Sequence, residues 1–441
     1  MTALQPYPAY KDSGVEWLGD VPEHWEVWRL KSLVKILSGA TPNSGRREYW
    51  NGDVLWITPE DLGRLVGRDI HRSRRRITNA GYQSCGTTLA PVGSVVISTR
   101  APIGHLAILG HEGCTNQGCR LLVPANASVS EWVYLGLLTA RGELQMLGQG
   151  TTFAELSREA LGALSLPLPP LREQTAIVRF IDHADGRIRR YIRAKQRLIE
   201  LLEEEKQAII HQAVTGQIDV RTGQPYPVYK DSGVEWLGKV PEHWEVRRLR
   251  SVAAIGTGGR DTIDRQAGGP YPFFVRSQAV ERINTWSFDG EAVLTAGDGV
   301  GVGKVFHYVN GRFDYHQRVY KFSDFSHILG RFFFHYFRCT LRNEVLRGTA
   351  KSTVDSLRLP MLQSFPVVLP FLPEQTTIVE YVEKRAAAIG TAIASARRQI
   401  DLLQEYRTRL IADVVTGKLD VREAAGFRWR DHIRGSRGLV I

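Results

Sequence analysis

His24, Trp25 and Glu26, and again His243, Trp244 and Glu245, set an imidazole two residues from a carboxylate, the spacing of a zinc-deaminase HxE. The PCxxC partner that such a site requires is missing, so both copies read as a packed tryptophan in a structural segment. GDGVGVGK at 297–304 invites a nucleotide-binding reading. However, Asp298 stands where the Walker pattern needs Gly, Val305 stands where it needs Ser or Thr, and no GxGxxG spacing fits. A tight turn whose backbone can approach a phosphate chain suits it better. Glu203 to Lys206, EEEK, falls in a helical run without the strand setting of a nuclease site. GxSxG, HExxH and the Asn-Pro-Pro-aromatic tetrapeptide of adenine methylation are all absent. A chain with no repeated acid, base or metal set reads as a binder, and no residue is assigned to catalysis or to a metal.

The candidates for binding are polar. Arg64, Arg68, Arg72, Arg74, Arg75 and Arg76 crowd one segment with His71. Guanidinium forks suit phosphate oxygens and the O6/N7 edge of guanine; the other reading is a solvated charge run, against which stand the apolar residues that interrupt the segment. Ser98, Thr99 and Arg100 offer polar tips where Asp298 and Lys304 stand in the second half. Asn116 and Gln117 match His316, Gln317 and Arg318, and Thr58 is matched with Arg276. An amide can hydrogen-bond adenine and an arginine guanine; amides that brace loops are the equal alternative. Thr41 and Lys351 complete the DNA-contact set.

These candidates sit in a chain that says the same thing twice. YPAYKDSGVEWLGDVPEHWEVWRLKSL at 7–33 returns as YPVYKDSGVEWLGKVPEHWEVRRLRSV at 226–252, LPLPPLREQTAIV at 166–178 as VLPFLPEQTTIV at 368–379, and VTGQIDVR at 214–221 as VTGKLDVR at 415–422. The period is far beyond the ~20 to 50 residues of a solenoid, so a domain with its connector has been duplicated around two dissimilar inserts. After each proline-rich motif follows a long run with helical periodicity. Its seam is expected at Ile177, Ile181, Ala184, Ile188, Tyr191, Leu198, Leu202 and Ile209, with a second row at Val178, Ile192 and Ile199. In the second run it is expected at Ile378, Val382, Ile389, Ala392, Ala396, Leu403, Tyr406 and Leu410, flanked by Val379, Ile393 and Ile400. A helix of about 40 residues is about 60 Å long; antiparallel pairing spares the intervening segment that reach. The expected fold is mixed α+β: two α/β heads separated by two long helices in an intramolecular antiparallel coiled coil, with pseudo-twofold symmetry. Residues 415–422 are then expected to approach 7–14. Short apolar runs at 54–57, 95–97, 106–109, 273–275, 292–294 and 305–309 read as strands, and 132–140 and 327–342 as helices closing each head.

Composition is that of an ordinary soluble globular protein, and its basic charge is shared with many proteins that bind no nucleic acid. A formal net charge of +11 and a pI near 9.5 suit a polyanionic partner. Cys85, Cys114, Cys119 and Cys339 form no CxxC pair and are expected as reduced thiols. Lacking an apolar leader or a run of about 18 apolar residues, the chain is expected in the cytoplasm and away from membranes.

The order of motifs resembles the specificity subunit of type I restriction-modification systems. The resemblance is carried by VPEHWEV with SGATP, ISTRAPIG with TNQG, PLPPLREQ, YPFFVRSQ with FDGEAVLTAGDGVGVGKVFHYVNGRFDYHQRVY, and LPFLPEQ. It implies target-recognition domains at 1–169 and 217–371, spacer helices at 170–216 and 372–417, and a tail at 418–441. It implies that each domain reads one half of a split, asymmetric double-stranded DNA site. It further implies that the spacers recruit two methyltransferase subunits, that restriction subunits join them, and that the chain itself is non-catalytic. S-adenosylmethionine, ATP and Mg2+ would belong to those partners, with none bound by this chain. The second head has GDGVGVG and YHQR in place of ISTRAPIG and TNQG. A coiled-coil adaptor that binds proteins rather than DNA is the alternative, and steep salt dependence of duplex binding separates the two.

Overall fold

A computed structural model describes residues 4–125, 127–148, 155–346 and 356–423; Lys351 and most of the tail lie outside the described residues. The chain divides into two compact units, Met1–Arg193 with Ile400–Ile441, and Ala194–Gln399. Each long helix, Leu171–Val214 and Leu372–Val415, contributes one half to each unit.

In the first unit a five-stranded sheet runs in the order Val34–Ser38, Cys119–Pro124, Val95–Ser98, Leu106–Leu109, Asp69–Ile70. Its central strands are apolar at nearly every position because both faces are covered, as the unbroken apolar runs require. Val95, Ile97, Ile108 and Leu122 pack with Val133 and Leu137 of the helix Ala127–Thr139. Val96, Ala107, Leu109 and Leu121 face the other way, onto Leu55, Ile57 and Leu62. A second sheet pairs Gly113–Thr115, Trp50–Ile57 and Arg76–Ile77.

The second unit threads the same path through one six-stranded sheet: Ala254–Thr257, Val319–Ser323, Phe288–Ala296, Phe306–Tyr315, Tyr271–Phe274, Glu281–Ile283. Phe306–Tyr315 is continuous where the first unit has two strands, Leu106–Leu109 and Gly113–Thr115. There the inserted Asp69–Ile70 pairs with Leu106–Leu109, and Gly110 lets the chain turn away: a Cβ at that position would meet the His71 ring at 2.2 Å. The helix Gly330–Leu346 buries Phe332, Phe333, Tyr336, Phe337 and Leu341 against the sheet. It begins later than the expected 327, because His327 adopts a left-handed φ of 62° ahead of it.

The repeated motifs explain one another. In the first unit the Tyr7 hydroxyl and the Trp25 indole N–H donate to Glu173 at 2.5 and 3.0 Å, and His24 Nε2 lies 2.9 Å from the same carboxylate. In the second, Tyr226, Trp244 and His243 hold Glu374 at 2.6, 3.2 and 2.8 Å. The glutamates, from LREQ and LPEQ, lie in the first turn of the long helices, so each PEHWE segment clamps the start of a helix onto its head. Glu173 is buried and Glu374 nearly so, and each accepts from several donors, which is the condition for burying such a group without large cost. The repeated HWE is therefore structural, as the missing cysteines implied. Each long helix ends in a left-handed glycine, Gly216 (φ 76°) and Gly417 (φ 79°). A Cβ there would strike Pro241 and Pro22 at 2.5 and 2.3 Å. Tyr10 donates to the Gly417 carbonyl at 3.1 Å and the Asp420 N–H to the Gln5 carbonyl at 2.8 Å, so 415–422 does meet the N-terminal motif.

Within each unit the helix halves run antiparallel. Ile177, Val178 and Ile181 pack with Leu410, Ile411 and Val414 in the first, and Ile210, Ala213 and Val214 with Ile378, Val379 and Val382 in the second. Asp185 pairs with Arg407, and Glu203 with Arg397 at 3.2 Å. The seam corrects the expected one past Ile188. Tyr191 and Leu198 are exposed while Ile192 and Ile199 of the second row turn inward, and Ala392 and Tyr406 are exposed while Ile393 turns in; Leu202, Ala396 and Leu403 face inward as expected. A helix of 3.6 residues per turn drifts against a 3.5-residue pattern, so packing draws on both apolar rows.

Candidate nucleic-acid interface

In the first unit most candidates meet at the ends of the central strands. The Thr41 hydroxyl donates to Gln117 Oε1 at 2.5 Å. Asn116 donates its N–H to the Ile57 carbonyl at 3.0 Å and its side chain accepts from Gly118 N–H at 3.0 Å. Thr99 N–H reaches the Gly118 carbonyl at 2.8 Å, and Arg100 pairs with Glu155 at 3.1 Å. Gln117 and Arg100 are exposed, whereas Ser98 and Thr99 are fully buried. Ser98 is held inside its own turn, donating to the Pro102 carbonyl and accepting from His105 N–H. Ser98 and Thr99 thus shape the rim rather than tip it, because the strand ends beneath them. Thr58 caps the short helix Pro59–Gly63 in a reciprocal capping box: its hydroxyl accepts from Asp61 N–H, and the Asp61 carboxylate accepts from Thr58 N–H at 2.9 Å and from the hydroxyl at 2.7 Å.

The arginine segment is a structured loop, and its members have separate duties. Arg74 bonds Glu60 through its guanidinium and Asp61 through its backbone N–H, and Arg64 also pairs with Glu60. Arg75 lies 3.5 Å from the centroid of the Trp50 ring. Arg68 leaves the group altogether, reaching Asp182 at 2.7 Å and Glu131 at 3.0 Å, which ties the head to its helix. Arg72 and Arg76 are exposed and have no acidic partner among the described residues. Arg46 and Arg47 are exposed just ahead of Trp50–Ile57, the strand paired with Arg76–Ile77, and carried no sequence signal beyond their charge. Their loop is pinned by two indoles, Trp56 to the Ala40 carbonyl at 3.0 Å and Trp50 to the Asn43 carbonyl at 3.2 Å.

In the second unit Asp298 lies between two arginines, accepting from Arg276 on one oxygen and from Arg318 on the other, both at 2.9 Å. Burial works to raise the Asp298 carboxyl, but the two guanidinium partners outweigh it and hold the group below its ordinary value. His316 is buried, and its Nδ1 accepts the Arg318 N–H at 2.9 Å; burial, more than any neighbouring charge, lowers its basicity. Gln317 donates to Asp261 at 2.9 Å, and Lys304 is exposed beyond the turn Gly299–Gly301. Gly299 and Gly303 have φ of 72° and 67°, so the glycine-rich segment is a tight turn.

The ladders show which rim positions correspond. Cys119 pairs with Ser98, and Val319 with Ala296; one residue on, the Thr99 and Gly297 carbonyls accept from Leu156 and Leu357 N–H at 2.8 and 2.7 Å. Arg100 is therefore the counterpart of Asp298. His316 N–H bonds the Phe274 carbonyl as Asn116 N–H bonds that of Ile57, which equates Thr58 with Val275, one residue short of the expected Arg276. Backbone register, not side-chain likeness, sets the match.

Residues 22–201 and 241–394 match the family described as type I restriction modification DNA specificity domain. The chain belongs to that family. It is the DNA specificity subunit of a type I restriction-modification system, a non-catalytic subunit. The MjaIX specificity subunit of Methanocaldococcus jannaschii is 26% identical over 441 residues, covering 92% of this chain and 96% of that protein. The EcoDI specificity subunit of Escherichia coli is 29% identical over 182 residues, 41% of this chain and 40% of that one. A chain solved in work on complex assembly and conformational transition of the type I R-M system shares the fold with a TM-score of 0.68 at 16% identity, covering 90% of this chain and 99% of that one. HsdS from Thermoanaerobacter tengcongensis does so with a TM-score of 0.52 at 16% identity, covering 90% and 98%. The two family segments each take in one PEHWE-clamped head and part of a long helix of the specificity subunit. Among its described residues no helix is long and apolar enough to cross a membrane.

Proposed function

We propose that the subunit reads a bipartite, asymmetric duplex site, one half through the rim of each unit, in the cytoplasm. On this reading 1–169 and 217–371 are the target-recognition domains, 170–216 and 372–417 the spacers that recruit two methyltransferase subunits, and 418–441 a tail. Restriction subunits complete the complex, and S-adenosylmethionine, ATP and Mg2+ serve those partners. One observation carries the reading: an identical glutamate clamp and a common strand path present rims of different chemistry, amides with Thr41 and Arg100 in one, an Arg–Asp–Arg cluster in the other. A shared frame with unlike rims is what reading two unlike half-sites demands. Methylome sequencing of a host carrying the assembled methyltransferase tests it. Exchanging 22–169 for the corresponding segment of another specificity subunit should change one half of the methylated motif only. Lengthening both spacers by one helical turn should widen the unread gap with both halves intact. A motif that changes in both halves on either manipulation defeats the proposal.

A further inference from the structure

We propose that Asp298 is a positioning residue that holds Arg276 and Arg318 side by side as a guanine-reading pair, so that the half-site of the second unit contains G·C pairs contacted from the major groove. This rests on the reading that the second unit contacts one half of a DNA site.

Both arginines are fixed at the stem and open at the head. Gly301 lets the Arg276 carbonyl approach to where a Cβ would meet it at 2.6 Å. Arg318 is tethered at its N–H by buried His316, and at its carbonyl by Gly297 N–H at 2.8 Å. Their side chains nevertheless remain 41% and 57% exposed, against 25% for Asp298. Asp298 engages only one terminal nitrogen, Nη1, of each guanidinium. The other donors of each fork have no acceptor among the described residues, which leaves four N–H groups per arginine, more than the two a bidentate contact needs. Two neighbouring cations would otherwise repel and splay; the carboxylate between them removes that repulsion and pre-orders both rotamers.

The same carboxylate decides which ligand suits the pair. A phosphate carries negative charge and would meet Asp298 as well as the arginines. The O6/N7 edge of guanine is neutral, accepts two hydrogen bonds and matches the planar fork. Each Asp298 oxygen already accepts from one arginine, so the acid is turned toward the pair it orders. In the first unit the counterpart position holds Arg100 on Glu155, whose other oxygen lies 4.0 Å from Arg120; Arg120 is largely covered, so the site presents no open pair.

The test uses the complete methyltransferase complex and methylome sequencing of wild type, R276A, R318A and D298N. The wild-type motif should contain at least one G·C pair in the half assigned to the second unit. Each alanine variant should lose about ten- to a hundredfold of its preference for G at one position. D298N should relax the same positions, with the first half-motif unchanged in every case as an internal control for folding and assembly. Should the alanine variants fail to assemble, R276K and R318K, which keep charge but not the fork, decide. An unchanged second half-motif in the variants that assemble, or a wild-type second half without G·C, overturns the proposal and leaves the bipartite reading standing. A wild-type methylome with no bipartite motif at all removes both.

Discussion

Arg100 in the first unit and Asp298 in the second stand at the same point of the same strand path, and their charges are reversed. Each lies in a bridge to a returning segment, Arg100 to Glu155 and Asp298 to Ser356. In the first unit Glu155 pairs with exposed Arg100 at 3.1 Å and lies 4.0 Å from the largely covered Arg120; in the second Asp298 serves two arginines that both stay open. The surroundings differ in the same sense. Arg47, Arg72 and Arg76 have no acidic partner among the described residues, whereas Arg260 of the second unit is bound to buried Asp314 at 3.2 Å and Arg265 lies 3.7 Å from Glu281. Backbone and clamp place the rim, and side-chain partnership decides whether a rim cation is free to meet a phosphate or is aimed at something more particular.

The clamp is the common ground of that comparison, and breaking it should have the largest effect. Trp25→Ala removes a fully buried indole and strands the acid it serves, with an expected loss of about 3–5 kcal/mol in chemical denaturation. Trp244→Ala should cost less, because Trp25 alone also packs edge-on against a second indole, Trp132, at 6.1 Å, an addition of about 0.5–1.5 kcal/mol. Equal or inverted losses would show that the two clamps are not held as the packing indicates.

Next in size is the electrostatic contrast. Replacing Arg47, Arg72 and Arg76 together by alanine should lower the slope of log affinity against log salt by about 3, roughly one for each phosphate no longer neutralised. Replacing Arg260 and Arg265 should change it by less than about 1. Equilibrium binding of the assembled methyltransferase to duplex at several salt concentrations reads both, and equal slopes would erase the distinction.

A smaller difference concerns how each head is tied to its helix. Asp182 and Glu383 occupy matching spacer positions, yet the first receives Arg68 from the inserted segment and the second Arg331 from the helix Gly330–Leu346. Arg68 is 28% exposed and bonds two acids, with a third, Asp69, at 3.9 Å, so Arg68→Ala should cost about 1–2 kcal/mol. Arg331 is 53% exposed, and its loss should cost under about 1 kcal/mol. Neither substitution should alter the methylated motif; a changed motif in R68A would return that residue to the reading surface.

The smallest expected effect is in pH. Burial is the main cause holding His211, His307, His316 and His335 of the second unit, and His105 and His183 of the first, below the ordinary imidazole value. With the folded value lowered, the unfolded chain binds more protons below about 6.5, so the stability present above that point is lost as pH falls toward the folded values. The second unit carries more such groups and should open first between about pH 7 and 5. Hydrogen exchange corrected for intrinsic rates would show this, and earlier opening of the first unit would contradict it.

Much of the fold was legible because its signals are local. The apolar runs at 95–97 and 292–294 became central strands, and the two long runs with helical periodicity became helices of 44 residues each. The duplicated HWE and REQ or PEQ motifs were visible, but nothing in either one says that Glu173 receives Tyr7, His24 and Trp25, since the acid lies about 150 residues further along the chain. The candidate rim was legible in part. Asn116, Gln117, Arg276 and Arg318 do gather at strand ends, while Arg68 was indistinguishable by composition from its neighbours and Thr58 from any other threonine.

The sequence alone determined the duplication, the two periodicities and the places where inserts diverge, because spacing of apolar residues and turn chemistry act over a few residues. Only the tertiary structure decided which apolar row forms the helix seam, which arginines are neutralised and which remain open, and that Arg100 answers Asp298. Those outcomes depend on where side chains from distant segments end in space, and a charge is satisfied by whichever partner arrives within hydrogen-bond reach, not by the one nearest along the chain.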